Sequence, residues 1–243
     1  MTLWPGTNRP EADDRCTEDE GEIVANIPTE DVRVRAGDVT LAGTLAVPDG
    51  ASGIVLFAHG SGSSRHSSRN RYVAERLQQG GLATLLIDLL TEQEEAVDIR
   101  TRHLRFDIGL LAKRLAGATG WLEKHPETAE LRIGLFGAST GGGAALVAAA
   151  ERPDAIAAVV SRGGRPDLAG EALPRVQTPT LLIVGGDDRP VIGMNREAMA
   201  QMRAPVELEI VPGATHLFEE PGTLETVADL ARDWFLQHLS ARG

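Results

Sequence analysis

The sequence predicts an α/β fold: a mostly parallel, doubly wound sheet with an antiparallel hairpin at its N-terminal end. Three observations lead there. Short runs of Val, Ile and Leu recur along the chain, segments with helical spacing separate them, and the residues suited to chemistry fall at or just after the ends of the runs.

Taken in order, residues 1 to 28 hold few apolar positions and cannot bury enough surface to offset the entropy of ordering, so they are expected to form a loose acidic arm. The alternative is an arm that docks through Trp4, Ile23 and Ile27 on the domain or on a second subunit. Residues 29–243 form the folded domain. Alternation of Val32 and Val34, then Val39, Leu41, Leu45 and Val47, around Ala36-Gly37-Asp38 predicts a hairpin. The runs at Gly53 to Ala58, Ala83 to Ile87, Ile133 to Phe136, Ile156 to Val160, Thr180 to Val184 and Val206 to Ile210 are apolar on both faces, as strands of a sheet covered on both sides are. Helical spacing occupies Ser68 to Gln79, Ile99 to Lys124, Gly141 to Glu151, Ile192 to Met202 and Thr223 to Leu239. The connection from Ser161 to Thr178 shows little helical pattern and is too short for a cap domain, so an open active site is expected.

Composition narrows the function. Hydrophobic residues make up 42% of the 243 and charged residues 24%, which suits one globular core. The net charge of −11 argues against a nucleic-acid partner, since such a surface repels phosphates. Cys16 is the sole cysteine, which excludes an internal disulfide or a cysteine metal cluster, and the cytoplasm is the expected location. No run approaches the length of a membrane span and no signal-peptide pattern opens the chain, so no membrane partner is expected. A homodimer is one arrangement the sequence allows.

The strongest motif is Gly137-Ala138-Ser139-Thr140-Gly141. It fits G-x-S-x-G, follows a predicted strand and opens a small-residue helix, the context in which a sharp turn lifts a serine hydroxyl toward a base. A Gly-rich turn or a phosphate loop is the competing reading. It is weakened by the absence of the P-loop lysine and of G-x-G-x-x-G spacing. Beyond the strand Thr180 to Val184, Asp187 and Asp188 compete as the acid that orients a histidine. The histidine expected to act as general base is His216, on the loop after Val206 to Ile210, whereas His103, His125 and His238 sit in or beside predicted helices. Thr140 N–H and Ser61 N–H are the candidate oxyanion donors, with Gly62 beside Ser61 in His59-Gly60-Ser61-Gly62.

With these residues in place, the chain from Val32 to Leu239 resembles the α/β-hydrolase superfamily and, more closely, its capless dienelactone-hydrolase-like branch. The matching stretches are Phe57 to Gly62, Gly137 to Gly142, Leu182 to Asp188 and Gly213 to Phe218. The resemblance implies an acid three residues after the strand's closing glycine and three before a Val, which selects Asp188 between Gly185 and Val191. It implies acyl transfer to water through an acyl-serine intermediate. Dienelactone hydrolases proper carry cysteine where this chain has Ser139, so a general carboxylesterase acting on a small ester is the expectation, not lactone specificity. No metal or organic cofactor is expected. An acyltransferase using the same triad and a non-catalytic binding protein on a hydrolase scaffold stay open as alternatives. Arg65, Arg69, Arg71, Arg162 and Arg165 follow strand ends or the oxyanion loop. Either Arg65 and Arg162 hold an anionic group of the substrate, or these cations are solvated or paired with acids.

Overall fold

The computed structural model describes residues 27–240. The arm expected over residues 1 to 28 therefore lies, but for Ile27 and Pro28, outside the described residues. Among those residues the strands β1 (Thr29–Ala36), β2 (Val39–Ala46), β3 (Ile54–Ala58), β4 (Ala83–Ile87), β5 (Ile133–Ala138), β6 (Ile156–Arg162), β7 (Thr180–Gly185) and β8 (Val206–Val211) form one eight-stranded sheet. Their spatial order is β1-β2-β4-β3-β5-β6-β7-β8. The β1–β2 and β2–β4 pairs are antiparallel and all others are parallel, as the hairpin and the both-face apolar runs require.

Among the described residues there are six α-helices, α1 (Ser68–Gln79), α2 (Glu92–Thr101), α3 (Ile108–Leu122), α4 (Thr140–Glu151), α5 (Arg189–Met199) and α6 (Thr223–Leu239), of which all but α2 pack on the sheet. Helices α1 and α6 bury Val73, Leu77, Trp234 and Phe235 against Phe57 and Phe136, whose rings stand 4.9 Å apart. On the other face, α3 and α4 bury Leu111, Leu115 and Leu146 against Leu56, Leu85 and Leu135. Each such side chain contributes roughly 1.5–3 kcal/mol of burial. The chain leaves β3 through α1 on one face and leaves β5 through α4 on the other. The carboxyl ends of these two neighbouring strands thus frame the crevice in which ligands of open α/β sheets gather.

Three elements differ from expectation. The helix expected over Ile99 to Lys124 is broken into α2, a 3₁₀ turn at Leu104–Phe106 and α3. Arg102 turns left-handed at φ 56°, the Asp98 carboxylate accepts from the N–H groups of Leu104 and Arg105, and Asp107 caps α3 by accepting from Leu110 N–H at 2.9 Å. Helix α5 begins three residues before Ile192, at Arg189, with Pro190 in its first turn. Strand β8 is not apolar on both faces: Glu207 and Glu209 are exposed, as suits an edge strand that must not recruit another chain. The link from β6 to β7 is 3₁₀ over Pro166–Arg175 and kinks at Gly170. No cap domain stands over the sheet edge among the described residues.

Candidate active site

Ser139 joins β5 to α4 with φ 51° and ψ −120°, a conformation that non-glycine residues avoid and that costs of order 1–3 kcal/mol. Local bonds hold the turn. Ser139 N–H donates to the Arg162 carbonyl at 3.2 Å, and the Ser139 carbonyl accepts from Gly142 N–H and Arg165 N–H, each at 3.0 Å. The flanking glycines answer to close approach. A Cβ at Gly137 would stand 2.5 Å from the Gly141 carbonyl oxygen, and one at Gly141 would run into the Ala58 carbonyl. Since the collision at Gly141 is with backbone, Gly141→Ala is expected to lower the unfolding free energy by about 2–4 kcal/mol, read from urea denaturation.

The loop after β3 lies directly on this elbow, with the Cβ position of Gly60 3.2 Å from Ser139 Cβ. Ser61, Gly62 and Thr140 line one small cavity together with Leu89 and Leu90. Neither Ser61 N–H nor Thr140 N–H has a protein acceptor among the described residues, so both donors are free. His59 fixes the root of this loop. Its Nδ1–H donates to the Gly60 carbonyl at 2.9 Å, and its Nε2 accepts from Leu89 N–H at 3.1 Å. That pairing requires the neutral ring.

Burial pushes the His59 pKa below its ordinary 6.5, against the opposing pull of the Gly60 bond, Asp88 and Glu95. The unfolded chain thus takes up this proton at a higher pH than the folded one. Stability is complete above about pH 6.5 and is lost as pH falls toward the folded-state value, by up to about 1.4 kcal/mol per pH unit. Denaturant titrations at about pH 7.5 and pH 5.5 measure that slope, and His59→Gln is expected to flatten it.

Asp188 occupies the N-cap position of α5, yet its side chain caps nothing. Its Oδ2 instead accepts from His216 Nδ1–H at 2.7 Å, and the carboxylate is only 14% exposed. The exposed Asp187 is held by its backbone, through Asp187 N–H to the Ala214 carbonyl at 3.0 Å. Of the two competing acids, Asp188 is the one brought to the histidine. The His216 loop is itself anchored. Glu220 accepts from Thr215 N–H at 3.0 Å and from Thr215 Oγ1 at 2.6 Å, and Phe218 N–H returns to the Thr215 carbonyl at 3.3 Å. Gly163, which follows the strand beside Ser139, abuts this loop, its Cβ position lying 3.6 Å from His216 Cε1. Ser139 and His216 therefore stand on adjoining loops at the carboxyl edge. No hydrogen bond joins Ser139 Oγ to the imidazole among the described residues, and such bonds commonly tighten only when substrate is bound.

The arginines separate. Arg65 binds Asp88 through both its N–H and its guanidinium, and with Arg71 and His66 it lines a second cleft of about 250 Å³ between α1 and the β2–β4 strands. It is not among the residues lining the cavity at the elbow. Arg69 pairs with Glu219 at 3.0 Å and Arg165 with Asp167 at 2.7 Å. Arg162 is only 6% exposed and lies beneath the surface, not on the cleft rim; burial, and then Arg69, push its pKa down to about 10. Sequence reasoning missed Arg105. The fully buried Asp98 binds its Nε, and its Nη1 stands 3.0 Å from the Cβ position of Gly62, on the wall of the small cavity. The capping box of Thr91 and Glu94, which starts a helix at Glu92, was the one readable sign that this segment was organised differently. Among the described residues no His, Cys, Asp and Glu group is arranged to hold a metal ion, and no helix is long and apolar enough to cross a membrane.

This geometry has close relatives. The chain is 61% identical over 214 residues to two proteins of Mycobacterium tuberculosis, strains CDC 1551 / Oshkosh and ATCC 25618 / H37Rv, each named "Putative phosphoribosyl transferase". The match takes in 88% of this chain but 47% of each relative, so the chain spans about half the length of the curated relatives it matches. A crystal structure of dienelactone hydrolase from Anabaena variabilis ATCC 29413 is 66% identical, with a TM-score of 0.86 over 88% of this chain and 99% of that one. The model of the dienelactone hydrolase family matches residues 41–239, and the chain belongs to that family.

Proposed function

We propose that the protein hydrolyses carboxylic esters through an acyl-serine intermediate, with Ser139 as nucleophile, His216 as general base and Asp188 as the residue that orients the imidazole. The observation that carries this reading is the 2.7 Å bond from His216 Nδ1 to Asp188 Oδ2, made by an N-cap aspartate that forgoes its capping bond, beside a serine held at φ 51°. With Nδ1 carrying the proton given to Asp188, Nε2 is left as the acceptor for the serine proton.

The hydroxyl of Ser139 attacks the ester carbonyl while Nε2 takes its proton. The carbonyl π electrons move to oxygen, and the N–H groups of Ser61 and Thr140 stabilise the resulting oxyanion. Collapse expels the alcohol, which takes the proton from His216 as it leaves. Water, deprotonated by the same nitrogen, then releases the acid and restores Ser139. Free donors pre-aimed at the oxyanion are worth several kcal/mol in such a step.

The transferase name of the mycobacterial relatives describes proteins of which this chain matches under half. Phosphoribosyl transfer displaces pyrophosphate from a sugar carbon, a step for which a serine elbow with a His–Asp pair is not built. Labelling with a fluorophosphonate and turnover of a panel of short p-nitrophenyl esters test the reading. Label on Ser139 together with turnover supports it, and a purified protein that takes no label and cleaves no ester ends it. Added alcohols or thiols that capture the acyl group ahead of water would convert the assignment to acyl transfer.

A further inference from the structure

Arg162 breaks a rule that the rest of the core obeys. A buried guanidinium normally meets a carboxylate, because a charge taken out of water costs more than most single contacts return. Among the described residues none pairs with this one. Its Nη2 makes one long bond, 3.4 Å, to Oδ1 of the buried Asn70 in the first turn of α1, and its Nε has no partner. The one charge that acts on it does not neutralise it. Arg69 repels it, and is itself paired with Glu219.

The guanidinium does have one further neighbour. Its carbon lies 5.9 Å from the centre of the Phe218 ring, within cation–π range. Phe218 is 1% exposed and sits at φ 56°, a left-handed conformation that a bulky aromatic residue adopts only when its surroundings force it. It also closes the turn that begins at Thr215 and carries His216. Gly163, next in sequence to Arg162, lies beside this turn: a Cβ there would stand 3.5 Å from Phe218 Cε2 and 3.6 Å from His216 Cε1.

We propose that Arg162 is a positioning residue that fixes the His216 imidazole by holding the turn that carries it through the Phe218 ring, linking β6, the start of α1 and the histidine loop into one clamp. This rests on the reading of His216 as general base. The Arg162 side chain meets Asn70 and Phe218, while only its backbone carbonyl bonds to Ser139 N–H, and its burial without a counter-ion is a stability cost retained for the geometry of the site. A misplaced base lowers the rate of the chemical step while leaving substrate binding nearly unchanged.

The test compares Arg162→Met, Arg162→Lys, Phe218→Leu and the Arg162→Met/Phe218→Leu double variant, all in the full chain. Removing an unpaired buried charge should leave the melting temperature of Arg162→Met equal to or above wild type. Its kcat on p-nitrophenyl acetate should fall roughly 10- to 100-fold with KM within about twofold, and Arg162→Lys should recover part of the loss. The double variant should be no slower than the slower single one, because both changes release the same clamp. Wild-type kcat in Arg162→Met, losses that multiply in the double variant, or a melting temperature that falls in step with activity would each overturn the proposal. The His216 ring signals by NMR give a readout independent of turnover. They should be single and sharp in the wild type and broadened or doubled in Arg162→Met, and sharp single signals in that variant would overturn the clamp even if no ester is cleaved. Absence of ester cleavage by the wild type would count against the proposed function alone.

Discussion

Replacing Ser139 with alanine is expected to remove ester turnover, by about 10⁴-fold or more, while the protein keeps its sheet and its melting temperature. The two halves of that result have separate causes. Rate is lost because no other hydroxyl occupies the elbow: Thr140 Oγ1 is buried and without a partner, and Ser61 sits on the facing loop. Stability is kept because the Ser139 side chain makes no hydrogen bond among the described residues, whereas its backbone bonds to Arg162, Gly142 and Arg165 survive the change. Alanine at φ 51° is no more strained than serine there, so the turn should persist. Steady-state assays on p-nitrophenyl acetate, with circular dichroism melting on the same samples, check both halves. A variant retaining wild-type turnover would remove Ser139 from the mechanism.

The legible parts of this fold and site were those encoded locally. Runs such as Ile54 to Ala58 and Ile133 to Phe136 announced buried strands because both faces are apolar, and the sheet places them side by side. The glycines around Ser139 were readable because a sharp strand-to-helix turn tolerates little else, and the structure supplies the reason in the approach of Gly141 to the Ala58 carbonyl. What could not be read depended on partners far apart in the chain. For Arg65 the sequence left a substrate anion and an acidic partner both open, and it could not name the acid: Asp88, 23 residues away, binds both its backbone and its side chain. The break after Thr101 was hidden because apolar spacing continues through it, and the polar bonds of Asp98 that end one helix and shape the next turn leave no periodic signal. Arg162 stood at a strand end with its burial unannounced, since strand position alone does not say which face an arginine will be forced to share with Phe218 and Asn70.

The choice between adjacent aspartates leads to the second large effect. Asp188→Asn is expected to lower kcat by about 10³- to 10⁴-fold, and Asp187→Asn to change it by less than about twofold. The carboxylate of Asp188 only accepts, so it selects the imidazole form with the proton on Nδ1 and leaves Nε2 free to take the serine proton. An asparagine amide can donate as well as accept. When its NH₂ faces Nδ1 it selects the opposite form, whose Nε2 already carries a proton and cannot act as a base, and it no longer offers a charge to the imidazolium that forms during attack. The fold should tolerate the change because Asp188 contributes no side-chain capping bond to α5, so the helix loses only a favourable charge near its N-terminus. Asp187, exposed and bound through its backbone N–H alone, has no such hold on the ring. Equal losses in the two variants would mean that general acidity of the loop, and not the orientation of His216 by one carboxylate, supports turnover.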